Sequence, residues 1–464
     1  MPIPAFTDAV PSFAALPAPV EVERVRAAFD FPRTGRVVTN NAATTQPPGA
    51  LLDLYRRLTA DYENVHRGQS VASRRTTERF EASYDTIAAW LNAPDRRSIA
   101  TYRSTTEAIN AVMYSLLTDL QDGDNIVTTM MEHNSNFVPW YGLCREILPR
   151  FGRRVECRVA RFDHETGQLD LAHLASLVDA RTKLVCCTGA SNFLGVKPPL
   201  DAVRQIADAS GYQQPDSRSG SLMLVDSAQL VPTSAIDVQA LDVDYLAFSF
   251  HKMMAPFGVG VLYAKEHLLQ RSLPFLYGGD MIAEGQVAPD EVLYNDLPWK
   301  FAAGTPNILG TIVSAQALRL LVDLVAPSGS TRYFDSEEWL PRSVVEQTMG
   351  AVRAHTQALT GAALVRLLEI DGLRLYGPAD PCSRTALAAF NVRGINPFQI
   401  AEGLGASGVE SRAGCHCATL AHRDLGLDPA ASCRLSFAVY NSMDDVTTAL
   451  STLERVVHSS SGPR

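Results

Sequence analysis

The chain has 464 residues, 46% of them apolar and 20% charged, with a net charge of −9 and a pI of about 5.6. That length exceeds one simple domain and can bury a large core, and the acidic balance excludes non-specific nucleic-acid binding. No apolar run approaches the length of about 18 residues that a membrane span requires, and the scattered cysteines, without a signal-like N-terminus, predict reduced thiols in the cytoplasm.

Residues 1–20 are rich in Ala and Pro and read as an arm lying on the surface or on a partner subunit. Residues 37–41 read as a short strand entering a turn, and Pro47 or Pro48 opens a helix carrying Leu51, Leu52, Leu54 and Tyr55. Residues 64–68 (NVHRG) form a polar loop. Phe80, Tyr84, Ile87, Ala88 and Leu91 then recur at helical spacing. A strand over 98–102 runs into a hydroxyl-rich loop over 103–108, with a helix expected over 109–120. Apolar strands are expected over 124–129, 183–188, 222–226 and 245–249. Near-continuous apolar strands separated by helices predict an α/β fold with a mostly parallel sheet covered on both faces. Segments 211–221 and 326–338 read as surface loops. Beyond Asn307, long helices precede short strands near 384–392 and 432–439, which predicts a smaller α+β domain. The expected division is an arm over 1–30, a large domain over 31–306 and a small domain over 307–464.

Ligands of such sheets bind off the carboxyl ends of the strands. Thr105, His133, Asn192, Asp226, Gln229, His251 and Lys252 are expected there. Lys252 ends the run Phe248-Ser249-Phe250-His251-Lys252. A lysine that is held and partly desolvated has a free amine able to form a Schiff base with an aldehyde cofactor; the alternative is an exposed loop lysine. Ser249 and His251 beside it suit an anion such as phosphate. Thr105 and Thr106 stand where a helix begins, either binding an anion with its free N–H groups or serving as caps alone. Asp226 at a strand end is costly to bury unpaired. A protonated pyridine nitrogen would match it, a helix N-cap being the alternative.

Together, Val225-Asp226-Ser227-Ala228-Gln229, Asp242-Val243-Asp244-Tyr245 and Ser249-Phe250-His251-Lys252 resemble class V aminotransferase-fold enzymes, and within them the cysteine desulfurase / selenocysteine lyase family. The segments at 64–68, 105–110 (TTEAIN), 131–136 (MEHNSN), 191–192, 303–307 (AGTPN) and 412–418 (RAGCHCA) agree, in the same order, from about residue 36 to 456. The resemblance implies the PLP-dependent aminotransferase fold (fold type I), with a seven-stranded sheet, and pyridoxal 5'-phosphate as cofactor. Lys252 would bond the cofactor and shuttle protons at Cα. Asp226 would pair with the pyridine nitrogen, and His133 would stack on the ring and act in acid–base steps. Gln229 and Asn192 would hydrogen-bond near the phenolic oxygen or the substrate. Thr105, Thr106, Ser249 and His251 would hold the phosphate. Thr305 would reach the phosphate of a neighbouring subunit, which implies a homodimer.

The resemblance further implies that Arg434 and Arg412 bind the substrate carboxylate, with His66 and Asn192 in the same substrate set. Cys417 would be the nucleophile of a cysteine desulfurase. It would take sulfur from L-cysteine as a persulfide, release L-alanine and serve a sulfur-acceptor protein. His416 and Arg412 would supply a positive field for its thiolate. One alternative is a C–S lyase working by β-elimination on a cysteine conjugate or selenocysteine, with Cys417 a spectator. Another is an aminotransferase-type step in a biosynthetic pathway. A metal module at Cys415, His416, Cys417 and Cys433 fits the usual zinc spacing poorly, and no metal is expected. The sequence departs from better-known desulfurases at Asn40-Asn41, Asn134, Gly189-Ala190, Pro232-Thr233-Ser234 and Cys415, which leaves substrate and outcome open.

Overall fold

The computed structural model describes residues 20–460. Residues 1–19 of the arm expected over 1–30 lie outside the described residues. Seven strands form the central sheet: β1 Ile99–Tyr102, β2 Asn125–Thr129, β3 Glu156–Ala160, β4 Thr182–Thr188, β5 Leu222–Asp226, β6 Tyr245–Ser249 and β7 Gly260–Ala264. Their spatial order is β1-β7-β6-β5-β4-β2-β3. Every neighbouring pair is parallel except those of β7, which runs antiparallel to both β1 and β6.

The alternation of side chains along each strand divides the core in two. Val185, Cys187, Met223, Val225, Leu246 and Phe248 face one apolar cluster. Leu184, Cys186, Leu222, Leu224, Tyr245 and Ala247 face the other. Both faces are therefore covered, which is why the inner strands read as continuous apolar runs. The expected strands 222–226 and 245–249 are found as such, and those over 124–129 and 183–188 begin within one residue.

Three helices frame the N-terminal side: α1 Gly49–Ala60, α2 Val71–Leu91 and α3 Thr105–Ser115. α3 starts four residues before the expected 109–120 span. Ser104 caps it, its Oγ accepting the Glu107 N–H at 3.3 Å. An exposed hairpin, β8 Ile282–Ala288 and β9 Glu291–Tyr294, follows the sheet. Then come α4 Ile308–Val325 and α5 Arg342–Leu368. α4 has 18 residues and a mean hydropathy of 1.7, and is the single helix among the described residues long and apolar enough to cross a membrane; 78% of it is buried inside the protein.

A second, antiparallel sheet contains β10 Leu373–Tyr376, β11 Leu387–Val392, β12 Arg412–Gly414 and β13 Ser432–Ser436, in the order β10-β11-β13-β12. Phe390 and Leu435 from this sheet share a separate apolar core with Leu359 and Leu364 of α5 and with Leu450 and Leu453 of the last helix. The chain before α1 is stitched to this half. Val37–Val38 pairs in parallel with Val409–Glu410, and Asn40 bridges to Ser436.

Candidate active site

Loops leaving β1, β2, β4, β5 and β6 at one edge of the central sheet surround a cavity of about 200 Å³. Arg412 and Arg434 from the second sheet form part of its wall, with His416 beside them. The cavity thus sits where the two sheets meet.

One end gathers hydroxyl and N–H groups at a helix start. The Thr105 N–H and hydroxyl both lie 2.6 Å from Ser249 Oγ, joining the start of α3 to the end of β6. This closeness needs Gly260: a Cβ there would come within 2.3 Å of the Ser104 carbonyl carbon. Thr106 Oγ1 lies 2.6 Å from Ser135 Oγ, and Ser135 in turn reaches His133 Nδ1 through its hydroxyl at 2.9 Å and its N–H at 3.1 Å. Because Nδ1 accepts an N–H, His133 carries its hydrogen on Nε2. Burial, reinforced by Lys252 and Arg434, pushes the His133 pKa down to about 3, so the ring is neutral. His251 is held down to about 4 by burial.

The centre holds Lys252 and Asp226. Burial pushes the Lys252 pKa down to about 8, against the pull of Asp226, so part of its amine is free near neutral pH. Asp226 is 3% exposed, and burial raises its pKa even though it accepts the Ala228 N–H at 3.0 Å. A carboxylate this buried calls for a cationic or N–H partner. Gln229 lines the same space with its amide N–H committed to the Ala42 carbonyl at 2.6 Å.

The opposite wall is cationic. Arg412 and Arg434 face each other directly across β12 and β13, a juxtaposition of like charges that is unfavourable without an anion. Arg434 Nη1 donates to the Asn192 carbonyl at 2.7 Å, while Nε and Nη2 are buried with no partner. Those two groups lie along one edge of the guanidinium and fit a carboxylate's two oxygens. Asn192 donates its amide to the His416 carbonyl at 2.6 Å and keeps Oδ1 unpaired.

Cys417 lies outside the lining of this cavity, on the loop after β12. It is near enough that a thiolate there would raise the pKa of both Lys252 and Arg434. The loop is held by the Asn134 N–H donating to the Cys417 carbonyl at 2.6 Å, and it carries two consecutive left-handed residues, His416 (φ 51°) and Cys417 (φ 57°). Each such residue costs about 1 kcal/mol, so the surrounding bonds must impose the shape. The expectation that His416 adds positive field is corrected: it is 2% exposed, and burial with Arg434 nearby holds its pKa far below the usual range. The cations beside Cys417 are the arginines and the lysine.

Two other expected residues lie apart from the cavity. Thr305 is exposed on the loop before α4. His66 (φ 69°) packs on Trp299 with ring centroids 4.5 Å apart, between Glu81 at 3.7 Å and Asp280 at 3.6 Å. Two features went unseen in the sequence. Ser135 was within reach, standing two residues past His133. The pair His422 and Ser432, described below, carries no sequence signal.

The family model for class-V aminotransferases matches residues 37–327 and 342–448. The chain belongs to the class-V aminotransferase family. A probable cysteine desulfurase of Halobacterium salinarum is 36% identical over 449 residues, covering 94% of this chain and 96% of that protein. A cysteine desulfurase of Dickeya dadantii is 36% identical over 450 residues, covering 94% and 98%. Among solved structures, the cysteine desulfurase of Thermococcus onnurineus superposes with a TM-score of 0.81 at 28% identity, covering 95% of this chain and 98% of that one. The CsdA cysteine desulfurase of Escherichia coli gives a TM-score of 0.78 at 29% identity, covering 94% and 98%. The fold is therefore the PLP-dependent type I fold. The class-V cavity here fits pyridoxal phosphate: hydroxyls at a helix start for the phosphate, a buried acid for the ring nitrogen, and a buried amine for the aldehyde.

Proposed function

We propose that this class-V enzyme is a cysteine desulfurase that converts L-cysteine to L-alanine and keeps the sulfur as a persulfide on Cys417. The observation that carries the reading is the anchoring of the Cys417 loop to the cavity wall, through Asn134 beside His133 and through Asn192. Relatives named cysteine desulfurase, alike over nearly the whole chain, support it.

Pyridoxal phosphate, when bound, supplies an aldehyde that captures the substrate amine and a protonated ring that takes up an electron pair from Cα. Thr105, Thr106, Ser249 and His251 would hold its phosphate, and Asp226 would keep its ring nitrogen protonated. Neutral His133, with its hydrogen fixed on Nε2, would cover the ring, and Gln229 and Asn192 would flank the substrate. Arg434 grips the substrate carboxylate with Nε and Nη2, and Arg412 adds its charge. Lys252 would hold the aldehyde, and its amine is placed to move protons at the substrate's Cα and Cβ. The Cys417 thiolate forms an S–S bond with the substrate sulfur as the Cβ–S bond breaks, and the electron pair left at Cβ takes a proton. The net exchange balances: cysteine and a thiol become alanine and a persulfide.

Thr305 and His66 both stand outside their own cavity. The neighbouring surface exposes Leu276, Tyr277 and Val287. These features support a homodimer in which each Thr305 serves the other subunit's phosphate. A division into a larger unit and a smaller C-terminal one, expected over 31–306 and 307–464, is supported by the separate core of the second sheet, while α4 and the first half of α5 pack with the central sheet. All eight cysteines are free thiols, which supports a cytoplasmic enzyme; a sulfur-acceptor protein would follow from the persulfide chemistry itself.

The test is product analysis. The protein loaded with pyridoxal phosphate is incubated with L-cysteine and dithiothreitol. Alanine and sulfide in equal amounts are expected. Pyruvate and ammonia instead would assign β-elimination and overturn the desulfurase reading.

A further inference from the structure

A buried chain of polar groups runs behind Cys417. His422, on the short helix Thr419–Asp424, is fully buried with its ring stacked on Phe193 at 3.7 Å. Its Nδ1 lies 2.9 Å from the Ala418 carbonyl oxygen, which can only accept, so Nδ1 carries a hydrogen. Burial holds its pKa down to about 4, so the ring is neutral and Nε2 is a bare acceptor. Ser432 Oγ, 3.0 Å from that Nε2, must give it the one hydroxyl hydrogen. The same oxygen lies 3.1 Å from His416 Nε2 and has only lone pairs left, so His416 donates to it. His416 Nδ1 is then a bare acceptor, and it is buried without a partner in the residue that precedes Cys417.

Every link constrains the next. The Ala418 carbonyl fixes the His422 tautomer, His422 orients the Ser432 hydroxyl, and Ser432 fixes the ring and tautomer of His416. The His416 carbonyl is held separately by Asn192 at 2.6 Å. We propose that His422 and Ser432 are positioning residues for the reactive loop: they pin His416 as its Nε2–H tautomer, hold the left-handed His416–Cys417 pair in place, and keep His416 Nδ1 ready to accept an N–H or S–H of an amino-acid substrate. The proposal rests on the reading of Cys417 as the sulfur carrier. Neither residue touches the substrate; both act through His416.

Ser432→Ala removes the central oxygen with little change in volume, and His422→Phe keeps the stack on Phe193. Three readouts apply to the enzyme loaded with pyridoxal phosphate. Alkylation of Cys417 by iodoacetamide without substrate, followed by mass spectrometry, is expected to change by about fivefold or more in both variants. With L-cysteine, kcat is expected to fall by about tenfold or more while KM stays within about twofold, the pattern of a displaced reacting group. Ser432→Thr, which returns the hydroxyl, restores both. Nitrogen-15 spectra of histidine-labelled wild-type protein are expected to show His416 protonated at Nε2 and His422 at Nδ1. The reverse tautomers, or alkylation unchanged in both variants, would overturn the proposal. The spectra and the alkylation rate need no turnover, so they decide it even if the protein fails to desulfurate cysteine, a result that would count against the proposed function alone.

Discussion

Lys252 shows how a single environment sets reactivity. Its amine is removed from water, and the cost of burying the charged form outweighs the attraction of Asp226, which brings the pKa to about 8. Below that pH the amine is mostly protonated and cannot attack an aldehyde; above it the free base dominates. The rate at which the apoprotein gains a visible absorption band on adding pyridoxal phosphate should rise about tenfold per pH unit below 8 and flatten above it. A rate still climbing at that slope past pH 9 would mean that the lysine is solvated. At this scale the sequence was informative where polarity and position coincide. Lys252, Asp226 and His133 stand at or just past the ends of apolar strands, and a polar residue there invites a chemical role. The charge state of His416 could not be read, because Phe193, which helps bury it, comes from a remote part of the chain, and His422 and Ser432 close on it only once the loop is folded.

At the scale of elements, the hydroxyl-rich end of the cavity depends on a close crossing of backbones. β7 passes the Ser104–Thr105 turn so tightly that only a residue without Cβ fits at Gly260. Gly260→Ala should push the start of α3 off Ser249, destabilise the fold by about 1–3 kcal/mol and weaken retention of pyridoxal phosphate. Thermal melting and the dissociation constant of the cofactor check this; wild-type values for both would show that the crossing has slack. β7 itself was not anticipated, although Gly260–Ala264 is apolar throughout. Its run directly follows the turn after Lys252 and reads as a continuation of that loop. β3 escaped for another reason: it is an edge strand with Glu156 and Arg158 turned outward, so its sequence (ECRVA) lacks the continuous apolar run of the buried strands. The strands buried on both faces were the ones visible in sequence.

At the scale of the whole molecule, the proposed function divides the site between the two sheets: the central one would hold the cofactor and the second would bring what acts on the substrate. β12 and β13 place Arg412 opposite Arg434, and the loop after β12 carries Cys417 back to the other half, where Asn134 and Asn192 hold it. Resemblance across the whole chain made these partners recognisable in sequence; composition and periodicity alone did not, since more than 150 residues separate Lys252 from Cys417. The mounting of the loop, by two left-handed residues and a buried histidine chain, appears only in three dimensions. The central claim is that Cys417 receives the sulfur. Peptide mass spectrometry of the cofactor-loaded enzyme, after one equivalent of L-cysteine without reductant, tests it directly. The Cys417 peptide should gain the mass of one sulfur atom as one alanine is released, and Cys417→Ser should neither gain sulfur nor release alanine. Alanine formed with Cys417 unmodified, or undiminished in Cys417→Ser, would contradict the account.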